Sequence, residues 1–81
     1  MKNMGEEPKL EKGTYRHYKG GIYDVIHLAC HTETLEWYVV YQSHERMEKD
    51  LPSIWIRPYV MFIEEVEVNG EKKPRFEKVD D

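Results

Sequence analysis

The fold class is decided by residues 36–42, EWYVVYQ, which give the strongest strand signal in the chain. Aromatic and β-branched residues fill the five central positions, and such residues are enriched in strands because they pack well on a pleated surface. The preceding segment at residues 22–30, IYDVIHLAC, is apolar at most positions, which is typical of a central strand that contacts the core on both faces. We expect the two segments to pair.

Glycine-containing turns predict further strands on both sides of this pair. Gly20-Gly21 separates a strand predicted at residues 14–19 from the central strand, since glycine takes a positive φ without steric cost. Asn69-Gly70 is the best short hairpin signal in the chain, because both residues tolerate the positive φ of a type I′ turn. A strand at residues 66–68 is therefore expected to turn back along residues 74–76.

Residues 53–57, SIWIR, show the alternation of a strand. Successive side chains of a strand point to opposite faces of the sheet. Ile54 and Ile56 are therefore predicted to face inward, whereas Trp55 and Arg57 should share the opposite face.

The segments that flank this strand are less regular. Residues 43–52 carry mixed charges and are interpreted as a loop, within which residues 45–49 have the composition of one helical turn. Residues 59–63 predict a tight turn that plugs the core with Met61 or Phe62.

A sheet of five to six short strands must curl over itself to bury one face and protect its edges. The prediction is an all-β fold, a small SH3-like barrel of five to six short strands with a short helical turn. An OB-like barrel is the alternative, although it usually needs longer strands. One domain is expected at residues 12–79, after a flexible leader at residues 1–11.

Composition bounds the classes of function. The chain has 81 residues with 40% hydrophobic and 35% charged residues, and no apolar run approaches the length of a membrane span. Its single cysteine, Cys30, and the lack of a signal-peptide pattern favour a cytoplasmic location. The net charge of −4 argues against a general polyanion binder, because nonspecific nucleic-acid affinity depends on clustered Lys and Arg.

The candidate binding residues lie in two segments that mix aromatic and basic side chains. Tyr15, His17 and Lys19 are spaced i, i+2 and i+4, and Trp55 and Arg57 are spaced i and i+2, so each set shares one face if both segments are strands. Aromatic rings can stack on planar groups, and a guanidinium can bind a carboxylate or phosphate through two hydrogen bonds. Packing of the tyrosines and an ion pair of Arg57 with Glu64, Glu65 or Glu67 are the structural alternatives.

Residues that carry a family resemblance recur along most of the chain: Gly13, Tyr15-Arg16-His17-Tyr18-Lys19-Gly20, Tyr23, His31 with Glu33-Thr34, Val40-Tyr41, Trp55-Ile56-Arg57-Pro58, Met61-Phe62 and Pro74-Arg75-Phe76. With these residues the chain resembles the bacterial domain-of-unknown-function family 1653 over residues 13–76. The resemblance implies a small SH3-like β-domain without an assigned activity. It is weakest after Tyr41, where residues 43–46 replace apolar or aromatic residues.

The leading hypothesis is a noncatalytic binding module that uses this aromatic-basic face. Net charge slightly favours a peptide or protein as the partner, while single-stranded nucleic acid stays open. The alternatives are a small enzyme in which His17 or His31 works with Glu33 as an acid–base pair, and a structural homodimer that pairs strand edges.

No metal or other cofactor is expected. His27, Cys30 and His31 have a metal-like spacing, but on a strand Cys30 points away from both histidines, which would lie about 13 Å apart. No membrane partner is expected either.

Overall fold

The structure, a computed structural model, describes residues 7–79. Across this range the chain forms seven antiparallel strands and two short helices: β1 Gly13–His17, β2 Ile22–Cys30, β3 Trp37–Ser43, α1 His44–Glu48, β4 Ile54–Pro58, α2 Tyr59–Phe62, β5 Glu65–Val68, β6 Glu71–Pro74 and β7 Phe76–Lys78. The all-β prediction is confirmed. Of the predicted leader, residues 1–6 lie outside the described range.

Five strands form one sheet in the order β4-β3-β2-β1-β7, and β5 and β6 form a second, two-stranded sheet. β2 lies between β1 and β3, so its central position is confirmed, as is its pairing with the segment that became β3. The expected core contact on both faces is wrong, because Val25 is buried whereas His27 and Ala29 on the other face are exposed. The register between β2 and β3 shifts between Val25 and His27, which leaves Ile26 as an extra residue in β2. Such a bulge bends the strand and increases the local twist of the sheet.

The core lies on one face of the five-stranded sheet, where α2 covers it. The buried hydrophobic residues are Tyr15, Val25, Val39, Tyr41, Phe62 and Phe76. The Phe62 ring stacks on the Phe76 ring with centroids 4.0 Å apart, and meets Tyr15 and Tyr41 edge-on at 5.6 and 5.5 Å. Phe62 is 1% exposed, whereas Met61 points to solvent. The predicted plug of the core is therefore confirmed for Phe62.

The facing predicted for the residues of β4 is wrong. Ile54 and Ile56 are 54% and 63% exposed, and the inner face of β4 carries Trp55 and Arg57 instead. The reason is the register: Trp55 pairs with buried Tyr41, and Arg57 pairs with buried Val39. Directly paired residues of neighbouring strands point to the same face.

Residues 43–52 contain α1 and are more ordered than the predicted loop. The Ser43 Oγ accepts a hydrogen bond from the Arg46 N–H at 3.3 Å, which caps the first turn of the helix. The Arg46 Nε donates to the Pro52 carbonyl at 2.6 Å and ties the end of this segment back to the helix. The helical turn considered from the sequence does form.

Both predicted turns are confirmed, since residues 18–21 join β1 to β2 and Asn69-Gly70 joins β5 to β6. The return strand predicted at residues 74–76 is wrong, because Glu71–Pro74 pairs with β5 and Phe76 belongs to β7, which pairs with β1. Asn69 and Gly70 have φ values of 53° and 82°, as the sequence required. The SH3-like barrel stays a prediction, because within residues 7–79 the two sheets are not joined into a closed barrel. No helix in this range has the length and apolar character needed to cross a membrane.

Candidate functional site

One end of the inner face of the five-stranded sheet forms a pocket of about 360 Å³, which we call the aromatic-basic pocket. Three strands and α1 contribute its walls. Its lining consists of aromatic residues, basic residues and three others: Tyr23, Tyr41 and Trp55; Arg46, Lys49 and Arg57; and Ser43, Glu45 and Leu51. Three cations against one carboxylate give the lining a formal charge of +2, although the whole chain carries −4.

Arg57 is positioned by two contacts on the inner face. Its Nε donates to the Tyr41 hydroxyl at 3.2 Å, and its guanidinium carbon lies 5.4 Å from the centre of the Phe76 ring. Within residues 7–79 no carboxylate lies at ion-pair distance from Arg57, and Glu64 pairs with Arg75 instead, at 2.9 Å. The ion pair of Arg57 with Glu64 that the sequence left open is thus not formed, and its charge is directed at the pocket.

Arg46 and Trp55 form a second wall of the pocket. The Arg46 guanidinium lies 5.1 Å from the Trp55 ring centre, in a cation–π arrangement. The Trp55 side chain is 41% exposed, so part of its ring surface is open to a ligand. Lys49 is held by Glu45 of the same helix at 3.0 Å, an exposed pair that contributes little to stability.

His17 lies beside the pocket, with its ring centre 6.4 Å from that of Tyr23 in the pocket lining. Its ring meets the Phe76 ring edge-on at 4.9 Å, and its Nδ1 accepts the Lys19 N–H at 3.1 Å. Burial lowers the pKa of His17, and the positive charges of Arg57, Arg75 and Lys19 lower it further. His17 is therefore a neutral hydrogen-bond acceptor near neutral pH.

A second cavity of about 410 Å³ is lined by His17 and by two residues of β6, Lys73 and Pro74. Its lining is Arg16, His17, Tyr18, Gly20, Lys73, Pro74 and Glu77. It shares none of its lining residues with the aromatic-basic pocket.

The five predicted site residues thus have different environments. Trp55 and Arg57 line the aromatic-basic pocket, and His17 adjoins it. Tyr15 is 5% exposed in the core, where its hydroxyl donates to the Glu11 carbonyl at 2.7 Å. Burial, with a smaller contribution from the charge of Glu11, raises the pKa of Tyr15. Lys19 lies beyond the end of β1, 5.7 Å from the Tyr18 ring centre.

Sequence reasoning missed the contribution of α1 to the pocket. Arg46 and Lys49 lie in a segment that was interpreted as a loop, so no face could be assigned to them. The missed signal is Ser43, a good N-cap residue placed directly after a strong strand and before charged helix formers.

A contact between His44 and Asp24 holds the start of α1 against the sheet. The His44 Nε2 lies 2.9 Å from one carboxylate oxygen of Asp24, and the Thr14 hydroxyl donates to the other at 2.8 Å. Burial by itself raises the pKa of Asp24, but the hydrogen bonds from His44 and Thr14 and the charge of His44 outweigh it, so the net pKa is lowered. Asp24 therefore orients the helix that supplies Arg46.

The acid–base pair considered from the sequence is not assembled. The His31 Nδ1 accepts the backbone N–H groups of Glu33 and Thr34 at 3.1 and 3.3 Å, which shapes the turn between β2 and β3. Glu33 thus contacts His31 through its backbone, while its side chain is exposed. His31 supports a turn in the same way that His17 supports the turn after β1.

Comparison with known proteins places these features in a family context. Residues 13–78 match the family described as Protein of unknown function (DUF1653). The chain is similar to the crystal structure of a DUF1653 protein from Bordetella bronchiseptica, with 32% sequence identity and a TM-score of 0.72, over 86% of this chain and 87% of that chain. A search of curated proteins gave no match.

Proposed function

The chain belongs to the DUF1653 family of proteins of unknown function, and from the geometry of its site we propose that it is a noncatalytic binding module. In this proposal the aromatic-basic pocket holds a carboxylate group of a peptide or protein. The observation that carries the proposal is the position of Arg57. Its guanidinium is oriented by Tyr41 and Phe76, and within residues 7–79 no carboxylate pairs with it.

The chemistry of the pocket supports a carboxylate as the bound group. A guanidinium presents its N–H donors in a planar fork that matches the two oxygens of a carboxylate. Tyr41 uses the Nε donor of Arg57, which leaves the terminal nitrogens for a ligand. The half-exposed Trp55 ring offers an apolar surface beside that charge.

The size and charge of the pocket favour a peptide over single-stranded nucleic acid. At about 360 Å³ it is at the small end of ligand pockets and suits one side chain with its backbone. Proteins that hold single strands without sequence preference use a long basic groove with stacking platforms for successive bases. The net charge of −4 would oppose such a polyanion.

The proposal includes the SH3-like barrel predicted from the sequence. A five-stranded antiparallel sheet whose core face is covered by the single turn of α2, together with the β5–β6 hairpin, supports it. Small barrels of this type bind peptides in grooves lined by aromatic residues.

The test is a titration of the ¹⁵N-labelled protein with a short acetylated and amidated peptide that contains one glutamate, in parallel with oligo(U) and oligo(dT). We expect chemical-shift changes at the Trp55 indole and around Arg57 with the peptide, and none with the oligonucleotides. Arg57→Gln should weaken peptide binding at least tenfold, because a hydrogen bond to a charged group contributes about 1.5–3 kcal/mol.

Arg57→Gln is chosen because glutamine keeps part of the stem over Phe76 and can still bond to Tyr41. Arg16→Gln is the matched control, since Arg16 is exposed and lines the other cavity. Equal peptide affinities for the two variants, or binding of the oligonucleotides alone, would refute the proposal.

A further inference from the structure

β4 is an open edge of the five-stranded sheet, because within residues 7–79 it pairs only with β3. The backbone polar groups of an antiparallel strand point alternately toward one neighbour and the other. The Ser43 N–H donates to the Ser53 carbonyl at 2.9 Å, so Ser53, Trp55 and Arg57 direct their backbone groups toward β3. Ile54 and Ile56 consequently direct their N–H and C=O groups away from the sheet.

The side chains of β4 give this edge an apolar outer face and a basic, aromatic inner face. Ile54 and Ile56 are 54% and 63% exposed on the outer face, and Trp55 and Arg57 line the pocket on the inner face. An extended chain that paired with the edge would lie about 4.8 Å from β4 and would place its own side chains alternately on the two faces. Alternate residues of that chain would pack on the two isoleucines, and the others would approach the basic pocket.

We propose that the partner is an extended peptide with alternating acidic and apolar side chains, which adds to the sheet as an antiparallel strand beside β4. This inference rests on the proposed function, since the acidic side chains are those held by Arg57 and Arg46. Charge complementarity selects this partner: the pocket lining carries a formal charge of +2 beside an edge with apolar, uncharged residues on its outer face. Strand addition is an established mode of peptide recognition, in which backbone hydrogen bonds supply affinity and alternate side chains supply specificity.

The length of the site is limited by the ends of β4. Pro58 has no N–H to donate, so the free donors of the edge are those of Ile54 and Ile56. Their two N–H and two C=O groups allow four backbone hydrogen bonds to the added strand. The site can therefore contact about five residues of a partner.

The test uses acetyl-VEVEVE-amide as the probe, because residues 65–68 show that this chain itself uses the EVEV pattern as a strand. In the proposed register two of the three valines lie opposite Ile54 and Ile56. All three valines direct their N–H toward β4, whereas each glutamate directs its N–H away. A peptide with N-methylated valines should therefore bind at least tenfold more weakly than the parent. A peptide with N-methylated glutamates is the matched control and should bind like the parent. Affinities are measured by fluorescence anisotropy with the full chain, and amide exchange of Ile54 and Ile56 should slow when the parent peptide binds.

The outcomes separate this inference from the function on which it rests. If both methylated peptides bind like the parent, or both are weakened equally, strand addition is wrong. Acid recognition by the pocket then stands if acetyl-VQVQVQ-amide binds more weakly than the parent. If acetyl-VQVQVQ-amide binds as tightly as the glutamate peptide, the edge is used but the pocket does not recognise acid. If no peptide binds, both proposals fail. A concentration-dependent dimer with protected Ile54 and Ile56 amides in the absence of peptide would assign the edge to a second copy and overturn the inference.

Discussion

Replacement of Phe62 by alanine should remove the contact that holds α2 over the sheet. Phe62 is 1% exposed, stacks on Phe76 at 4.0 Å and meets Tyr15 and Tyr41 edge-on. α2 has four residues, so it has no stability of its own and depends on this packing. Truncation of a buried phenylalanine costs about 3–5 kcal/mol, from a total of about 4–12 kcal/mol for a domain of this length. The variant should therefore lose a quarter or more of the free energy of unfolding.

Urea unfolding followed by tryptophan fluorescence measures this loss. Val60→Ala is the matched control, because Val60 lies in the same helix but is 66% exposed, and surface changes usually stay within about 0.5 kcal/mol. If Phe62→Ala does not fold, Phe62→Leu should give a measurable intermediate loss. Similar free energies of unfolding for the phenylalanine and valine variants would refute the reasoning that Phe62 closes the core.

Two further predictions concern titratable groups. After burial, the positive charge of Arg57 is the next largest cause of the lowered pKa of His17. Arg57→Gln should therefore raise the pKa of His17, measured by NMR titration of the imidazole. An unchanged pKa would contradict the proximity of Arg57 and His17. The pKa of Asp24 is lowered in the folded protein, so at acid pH the unfolded chain binds more protons than the folded one. The ionised Asp24 therefore stabilises the fold above the unfolded pKa near 3.8, and this contribution is lost as the pH falls through the folded pKa. Asp24→Asn should therefore be less stable than the wild type at pH 7, and the difference in their urea midpoints should disappear at about pH 2. A difference of equal size at the two pH values would show that Asp24 does not act through its charge.

Local patterns predicted the strands and turns, because each depends on neighbouring residues. Residues 36–42 and both hairpins follow from side-chain shape and from glycine or asparagine at positions with positive φ. The family resemblance stated from the sequence is confirmed by the match over residues 13–78. Five to six strands were expected and seven are present in residues 7–79, since short β6 and β7 have little apolar periodicity of their own.

The facing of β4 could not be predicted, because alternation gives two sets of residues without saying which is inside. Apolar character favoured Ile54 and Ile56, but tertiary packing placed Trp55 and Arg57 over the core. A guanidinium that lies on an aromatic ring can be partly buried with its charge still hydrated. Long-range ring packing of this kind leaves no signal in the local sequence.

The candidate site was predicted in part for a related reason. Trp55 and Arg57 were identified by residue type, and both line the pocket. Tyr15 was identified by the same criterion, but Phe62 packs against its ring and Tyr15 is buried in the core. Residue type alone does not distinguish a buried tyrosine from an exposed one. The participation of Arg46 depends on the orientation of α1, which is set by a contact to Asp24 twenty residues earlier.

The bulge in β2 marks the place where this strand can lose one residue without a change in the facing of its other side chains. Val25 and Leu28 both face the core although three positions separate them, because Ile26 is accommodated by the bulge. Loss of one of the two residues between Val25 and Leu28 would straighten β2 and leave every inward-facing residue on its face. A deletion outside this interval would turn one part of the strand to the other face. Related chains that differ by one residue in this strand should therefore differ at this position.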